Sequence, residues 1–241
     1  MEDLNFKTAN PGAVQFGNFI NYYKFHPPER RISVLPKEIW DSVAREQSCC
    51  ILDIGCNAGD LTIELYKHIS ESVGVKNVNI LGIDIDPVLI QRACEQNKFP
   101  NIQFTCVDIM HETDYIKSVR GFLKQHNTQK FAIGFCFSIT MWIHLNHGDD
   151  GLKKFLRRVV ELCESLVIEP QPWKCYRTAV RRFKLSNSTF PKYSEIKIRG
   201  DIEQRIELYL QNECDCTKVL ESGRTEWGRK IMVFKLKQQI V

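Results

Sequence analysis

The chain has 241 residues, 43% apolar and 26% charged, with a formal net charge of +4. Such a balance excludes wholesale disorder and a collagen-like repeat, and the length is enough for a core that buries most of the apolar side chains. The longest apolar run, residues 131–143, is interrupted by Ser138 and Thr140 and falls short of the roughly 18 residues that a spanning helix needs.

Read in chain order, the first element is a short apolar strand over residues 49–54, stopped by Gly55. A helix follows over 60–72, with Leu61, Leu65 and Ile69 on one face and Asp60 as its expected cap. Next come a strand at 79–83, a helix at 87–97 with proline in its first turn, and a strand at 102–107. A helix is expected over 113–125 and a nearly continuous apolar strand over 131–137. Residues 151–163 read as an amphipathic helix, with Leu152, Phe155, Leu156, Val159 and Val160 on one face. A strand at 166–168, a helix at 202–211 and a late strand at 231–236 complete the pattern. Short strands alternating with helices imply an α/β fold. Its sheet is doubly wound and mostly parallel, with right-handed crossovers, in a single domain over 1–241.

Ligands of such sheets bind beyond the carboxyl ends of the strands, so the residues just after each strand carry the functional information. The first strand runs into Asp53-Ile54-Gly55-Cys56-Asn57-Ala58-Gly59-Asp60. A glycine turn lets backbone approach a ligand closely, although a tight turn without a ligand has the same signature. After the second strand stands Asp84, placed to accept both hydroxyls of a ribose or, more plainly, to cap the next helix. After the third stand Asp108 and Ile109, an acceptor for an adenine amino group and an apolar neighbour for the ring. Together the three strand ends describe a pocket for an adenosine-bearing cofactor. A nicotinamide dinucleotide favours G-x-G-x-x-G at the helix N-terminus. Here there are two glycines, and the Asp60 carboxylate occupies the position of a pyrophosphate. The sulfonium and zwitterion of S-adenosyl-L-methionine tolerate that carboxylate, so this is the cofactor expected.

The fourth strand leads into Ser138-Ile139-Thr140-Met141-Trp142-Ile143-His144-Leu145-Asn146-His147-Gly148-Asp149-Asp150, where an acceptor would meet the methyl group. His144 and His147 read as substrate donors, as histidines that order a loop, or as a metal pair, the last with no completing ligands at metal spacing; no metal is expected. The fifth strand leads into Glu169-Pro170-Gln171-Pro172-Trp173-Lys174, a polar loop rimming the same opening. Before the sheet, segment 16–35 is an aromatic and basic arm, read either as packing across the core or as a lid.

Charge is uneven along the chain. Residues 1–150 carry 14 Lys and Arg against 18 Asp and Glu, and residues 151–241 carry 19 against 11. The densest segment, 170–200, holds Lys174, Arg177, Arg181, Arg182, Lys184, Lys192, Lys197 and Arg199 against Glu195 and is either a solvated face or a polyanion surface. Met1-Glu2-Asp3 lacks the positive region of a secretion signal, and ten cysteines without a CxxC pair read as reduced, mostly buried thiols of an intracellular protein.

These residues resemble the bicoid-interacting family of RNA methyltransferases, over roughly Phe16 to Leu236. The arm, the turn 53–60, Asp84-Ile85-Asp86-Pro87, the stretch 138–149 and Glu169 to Lys174 carry the likeness. Within the family the chain is similar to the cytoplasmic branch that methylates an RNA 5′ monophosphate. The nuclear branch, which caps a small nuclear RNA, has Lys and Trp at the positions of Met141 and His147. The resemblance implies a seven-stranded, Rossmann-like class I methyltransferase. It also implies cofactor contacts from Tyr23, Arg31, Gly55, Asn57, Asp84, Asp108, Ile109 and Met141. The implied substrate is a small structured RNA, of the transfer RNA or precursor microRNA type, in the cytoplasm or nucleus, with no membrane and no obligate protein partner. Tyr22, His26, His144 and His147 are the donors expected to hold the phosphate. Lys174, Arg177, Arg181 and Arg182 are expected to meet the RNA backbone. Two other readings stay open: a methyltransferase for a protein or small molecule, and a non-catalytic RNA-binding protein with a vestigial fold.

Overall fold

The computed structural model describes residues 15–41, 43, 44, 46 and 48–237; Met1, Glu2 and Asp3 lie outside them. Seven strands, β1 (Ser48–Ile54), β2 (Asn77–Asp84), β3 (Ile102–Cys106), β4 (Phe131–Phe137), β5 (Cys163–Glu169), β6 (Cys216–Glu221) and β7 (Met232–Leu236), form one sheet in the order β3-β2-β1-β4-β5-β7-β6. β1 to β5 pair in parallel and β7 is antiparallel to both β5 and β6. This is the mostly parallel, doubly wound sheet expected. β1 lies between β2 and β4, so the chain reverses its direction across the sheet there. The crevice at such a switch point lies beyond the carboxyl ends of β1 and β4.

The central strands are apolar throughout because both of their faces are covered. Cys49 and Ile51 pack with Leu61 and Leu65 of α3 (Asp60–Lys67) and Ile90 and Ala93 of α4 (Pro87–Gln96). Cys50, Leu52 and Ile54 point the other way. There they meet α5 (Glu112–Tyr115), α6 (Gly121–Gln125), α7 (Thr140–Leu162), α8 (Trp173–Leu185) and α9 (Ile202–Glu213). Two short helices, α1 (Tyr22–Phe25) and α2 (Pro28–Ser33), form the arm before the sheet. Among the described residues no helix is long and apolar enough to cross a membrane, and all ten cysteines are unbridged.

Several local expectations are corrected. Asp60 is the first residue of α3, and the cap position belongs to Gly59, whose φ of 88° is left-handed. The stretch after β4 is helical, not a loop. It forms the first two turns of α7, which continues into the expected amphipathic helix through a kink where Gly148 has φ 72°. The loop expected through Lys174 ends at Pro172, whose fixed φ leads into α8. β6 escaped the reading because its alternating Cys-Thr-Lys-Val-Leu-Glu is half polar, as suits a sheet edge.

Candidate active site

At the end of β1 the backbone turns left-handed at Gly55 (φ 77°), Asn57 (φ 53°) and Gly59 (φ 88°). A Cβ on Gly59 would lie 2.6 Å from the Phe104 ring, so helix and strand packing demands glycine there. The turn is pinned by Gly55 N–H and Cys56 N–H, which donate to Ile83 O at 2.8 and 3.0 Å. Asp84 is buried and accepts from Asn57 N–H at 2.9 Å and Asp86 N–H at 3.0 Å. Burial pushes its pKa up to about 6, against the pull of those hydrogen bonds. The capping role weighed for Asp84 falls to Asp86, which accepts from Val88 N–H and Leu89 N–H at the start of α4. Asp53, buried below the turn, accepts from Thr62 Oγ1 at 2.6 Å and is also pushed up to about 6 by burial.

The arm closes over this turn. Asn57 Nδ2 donates to Phe19 O at 3.0 Å, Asn18 Nδ2 to Asp86 at 2.5 Å and the Tyr23 hydroxyl to Cys56 O at 3.2 Å. Gly17 packs against the Trp142 indole, where a Cβ would come within 2.2 Å of the ring. The cavity beneath is lined by Tyr23, Arg31, Gly55, Asn57, Asp84, Asp108 and Ile109, seven of the eight residues expected at the cofactor. The eighth, Met141, is corrected: α7 turns it into the wall of a second cavity.

That second cavity holds about 480 Å³. Its walls are Phe19, Phe25, Met141 and Ala179, with His26 inside and Lys174 and Arg182 at the α8 side. Tyr22, Ser138 and Trp142 line both cavities and form the partition between them. Ser138 directly follows β4 with φ 59°, a strained value for a residue other than glycine. Its Oγ accepts from the Tyr22 hydroxyl at 2.9 Å and donates to Glu169 at 3.0 Å. Glu169, placed by the sequence on a rim, is fully buried and pairs with Arg31 at 2.8 Å. Arg31 Nη2 also donates to the Tyr22 hydroxyl at 3.1 Å, and its guanidinium sits over the Phe137 ring at 5.0 Å. Gln171 Oε1 accepts from Met141 N–H at 3.1 Å and fixes the start of α7.

The four phosphate candidates separate. Tyr22 and His26 stack at 4.7 Å and line the second cavity. Burial first, then the charges of Arg229 and Arg31, lowers the His26 pKa to about 4, so the ring is neutral at pH 7. His147 is exposed at the rim of the first cavity, beside Asp108 and Ile109. His144 reaches neither cavity and is corrected to a buried brace. Its Nδ1 meets the Tyr176 hydroxyl at 3.1 Å and its Nε2 meets Asp149 at 2.7 Å. Asp149 also accepts from Lys197 N–H at 3.0 Å, so this one cluster ties the α7 kink to α8 and to the segment after it. Burial alone would raise the Asp149 pKa, but these hydrogen bonds hold it below the usual range. Among the described residues no three His, Cys, Asp or Glu side chains converge as for a metal ion.

Trp227 and Arg229 were missed, since a loop 60 residues beyond β5 carries no local signal. Trp227 Nε1 donates to Glu169, and Arg229 lines the second cavity.

Residues 131–236 match the family described as Bicoid-interacting protein 3, and residues 45–146 match a methyltransferase domain. The chain is 43% identical over 243 residues to a Xenopus laevis pre-miRNA 5′-monophosphate methyltransferase, covering 95% of each. The chain belongs to the bicoid-interacting protein 3 family. A Homo sapiens member, an RNA 5′-monophosphate methyltransferase, is 42% identical over 95% of this chain and 83% of its own. In fold, this family member is similar to the N-methyltransferase NodS from Bradyrhizobium japonicum WM9, solved with S-adenosyl-l-homocysteine. The TM-score is 0.56 with 15% identity, over 88% of this chain and 89% of that one.

Proposed function

We propose that this chain uses S-adenosyl-L-methionine to methylate the 5′ monophosphate of a small structured RNA, of the transfer RNA or precursor microRNA type. The observation that carries the reading is the junction of two unlike cavities across Tyr22, Ser138 and Trp142. One has carboxylates at successive strand ends; the other is apolar with cations at one side. The names of the relatives support the same acceptor.

The residues present fit the cofactor. Asp84 spends one acceptor site of each oxygen on backbone N–H groups, which leaves lone pairs for ribose hydroxyls. Gly55 lines the same cavity without a side chain, and Asp108 and Ile109 would meet the adenine there. When bound, the cofactor supplies a methyl group activated by a sulfonium. A terminal phosphate monoester has a second pKa near 6, so at pH 7 it is largely a dianion and its own nucleophile. The protein needs no general base. Its task is alignment, worth several kcal/mol as effective concentration. Tyr22 and the neutral His26 can hold phosphate oxygens as uncharged donors. Trp142 supplies an apolar wall that favours a step in which anion and sulfonium neutralise each other.

In this reading 1–241 is one domain, segment 16–35 is the cover of both cavities, and segment 170–200 faces the RNA. Lys174 and Arg182 stand at the acceptor cavity, and Arg177 and Arg181 continue along the exposed side of α8. Ten unbridged thiols fit a reducing compartment such as the cytoplasm. The test is incubation with labelled cofactor and one RNA bearing a hydroxyl, monophosphate or triphosphate 5′ end. Label confined to the monophosphate is expected. Equal transfer to the hydroxyl form would favour another acceptor, and absence of cofactor binding a vestigial fold.

A further inference from the structure

Arg229 sits in the loop between β6 and β7, with its side chain 12% exposed. Its Nη1 donates to Ser138 Oγ, and its guanidinium lies 4.0 Å from Glu169. Glu169, however, is already matched by Arg31 at 2.8 Å. Among Arg31, Arg229 and Glu169 there is one positive charge more than negative, and Asp53, the further carboxylate acting on Arg31, is itself disfavoured as an anion by burial. A cation held away from water without a counter-charge is costly, and an anion in contact would offset that cost.

A second observation points to where such an anion would lie. Arg229 Nε and His26 Nδ1 are both buried without a hydrogen-bond partner, and both residues line the acceptor cavity beside Tyr22 and Ser138. Buried polar atoms are rarely left unpaired in a folded chain. Here the two orphaned nitrogens and the surplus charge border one space. The loop is fixed in place: Glu226 pairs with Arg30, Trp227 Nε1 donates to Glu169, and the Trp227 ring packs edge-on to His26 at 4.9 Å.

We propose that Arg229, with His26, forms the seat of the terminal phosphate and is the residue by which the enzyme distinguishes a phosphorylated RNA end from a hydroxyl end. The assignment rests on the RNA 5′-phosphate reading above and adds a residue from the far end of the chain. Arg229 Nε and, in the tautomer protonated there, His26 Nδ1 donate to phosphate oxygens. Ser138 and Glu169 hold the guanidinium at the partition, where the phosphate must present one oxygen to the cofactor side.

The test measures binding of one RNA with a 5′ phosphate or a 5′ hydroxyl to wild type, Arg229→Gln and Arg229→Lys, with S-adenosylhomocysteine affinity and thermal melting alongside. One charge-assisted hydrogen bond is worth about 10- to 100-fold in affinity. Arg229→Gln is expected to lose that much preference for the phosphorylated end. KM for the phosphorylated RNA should rise in parallel, while the hydroxyl RNA and S-adenosylhomocysteine bind within about twofold of wild type. If Arg229→Gln does not fold, Arg229→Lys decides, since it keeps the charge but lacks the Nε donor and should still lose several-fold of the preference. An unchanged preference in a folded variant overturns the seat. A wild type that shows no preference for the phosphorylated end overturns the proposed function itself.

Discussion

Glu169→Gln removes a charge and almost no volume from the most enclosed point of the site. Its carboxylate accepts from Arg31 Nη2 at 2.8 Å, from Ser138 Oγ at 3.0 Å and from Trp227 Nε1, with Arg229 at 4.0 Å. The side chains of Arg31 and Glu169 are 1% and 0% exposed, so water cannot take over the solvation of either. In the amide variant two guanidinium charges lose the carboxylate between them, and Asp53, which acts on Arg31, does not replace it. Removing one partner of a buried pair costs about 3–5 kcal/mol. For a chain of this length each kcal/mol moves Tm by about 2–4 °C, so calorimetry should show a fall of roughly 6–20 °C. Arg31→Met should cost less, because Glu169 keeps Arg229 and Trp227. The double variant returns the enclosure to one excess cation. Its loss should therefore be smaller than the sum of the single losses by at least about 1 kcal/mol. A fall of less than about 2 °C in Glu169→Gln, or strict additivity, would refute the charge accounting on which the partition is explained.

Asp53 is buried, and its pKa rises from 3.8 to about 6, so the folded state holds its proton more tightly than the unfolded chain. Its contribution to stability is fully present below pH 3.8 and is lost as pH rises through about 6. Asp53→Asn should therefore gain up to about 3 kcal/mol over wild type at pH 8 and nothing at pH 3.5, as read by urea unfolding; a gain independent of pH would contradict this. His144→Ala opens a cavity and strips partners from Tyr176 and Asp149, so a loss of about 2–5 kcal/mol is expected, with KM for phosphorylated RNA unaltered where the variant is folded. A raised KM with unchanged melting would return His144 to the acceptor. Arg177→Ala with Arg181→Ala should flatten the salt dependence of RNA binding by about two in slope if each meets a phosphate, leaving S-adenosylhomocysteine affinity alone; an unaltered slope removes them from the interface.

The lining of the first cavity was legible because most of its residues named from the sequence are local to a strand end. Asp84 ends an apolar strand and Gly55, Asn57, Asp108 and Ile109 follow one within a few residues, and the parallel sheet lines those ends up on one edge. The surroundings of the second cavity were read less well. His144 and His147 are three apart on a helix, a spacing that does not say which of them faces a core. The structure turns His144 inward to Tyr176 and Asp149 and leaves His147 at a rim. Glu169 ends a strand as Asp84 does. Only the neighbours differ, and they convert a plausible rim residue into the counter-charge of Arg31.

What the amino-acid order determined by itself is the layered sheet and the row of acids and glycines at its edge. Both follow from apolar periodicity and from backbone conformations that few residues can adopt. What the tertiary structure alone decided is the partition between the cavities. There Arg31 meets Glu169 across 138 positions and Arg229 meets Ser138 across 91. Side chains so far apart in the chain acquire their burial, and hence the strength of their charges, only when the fold excludes water between them.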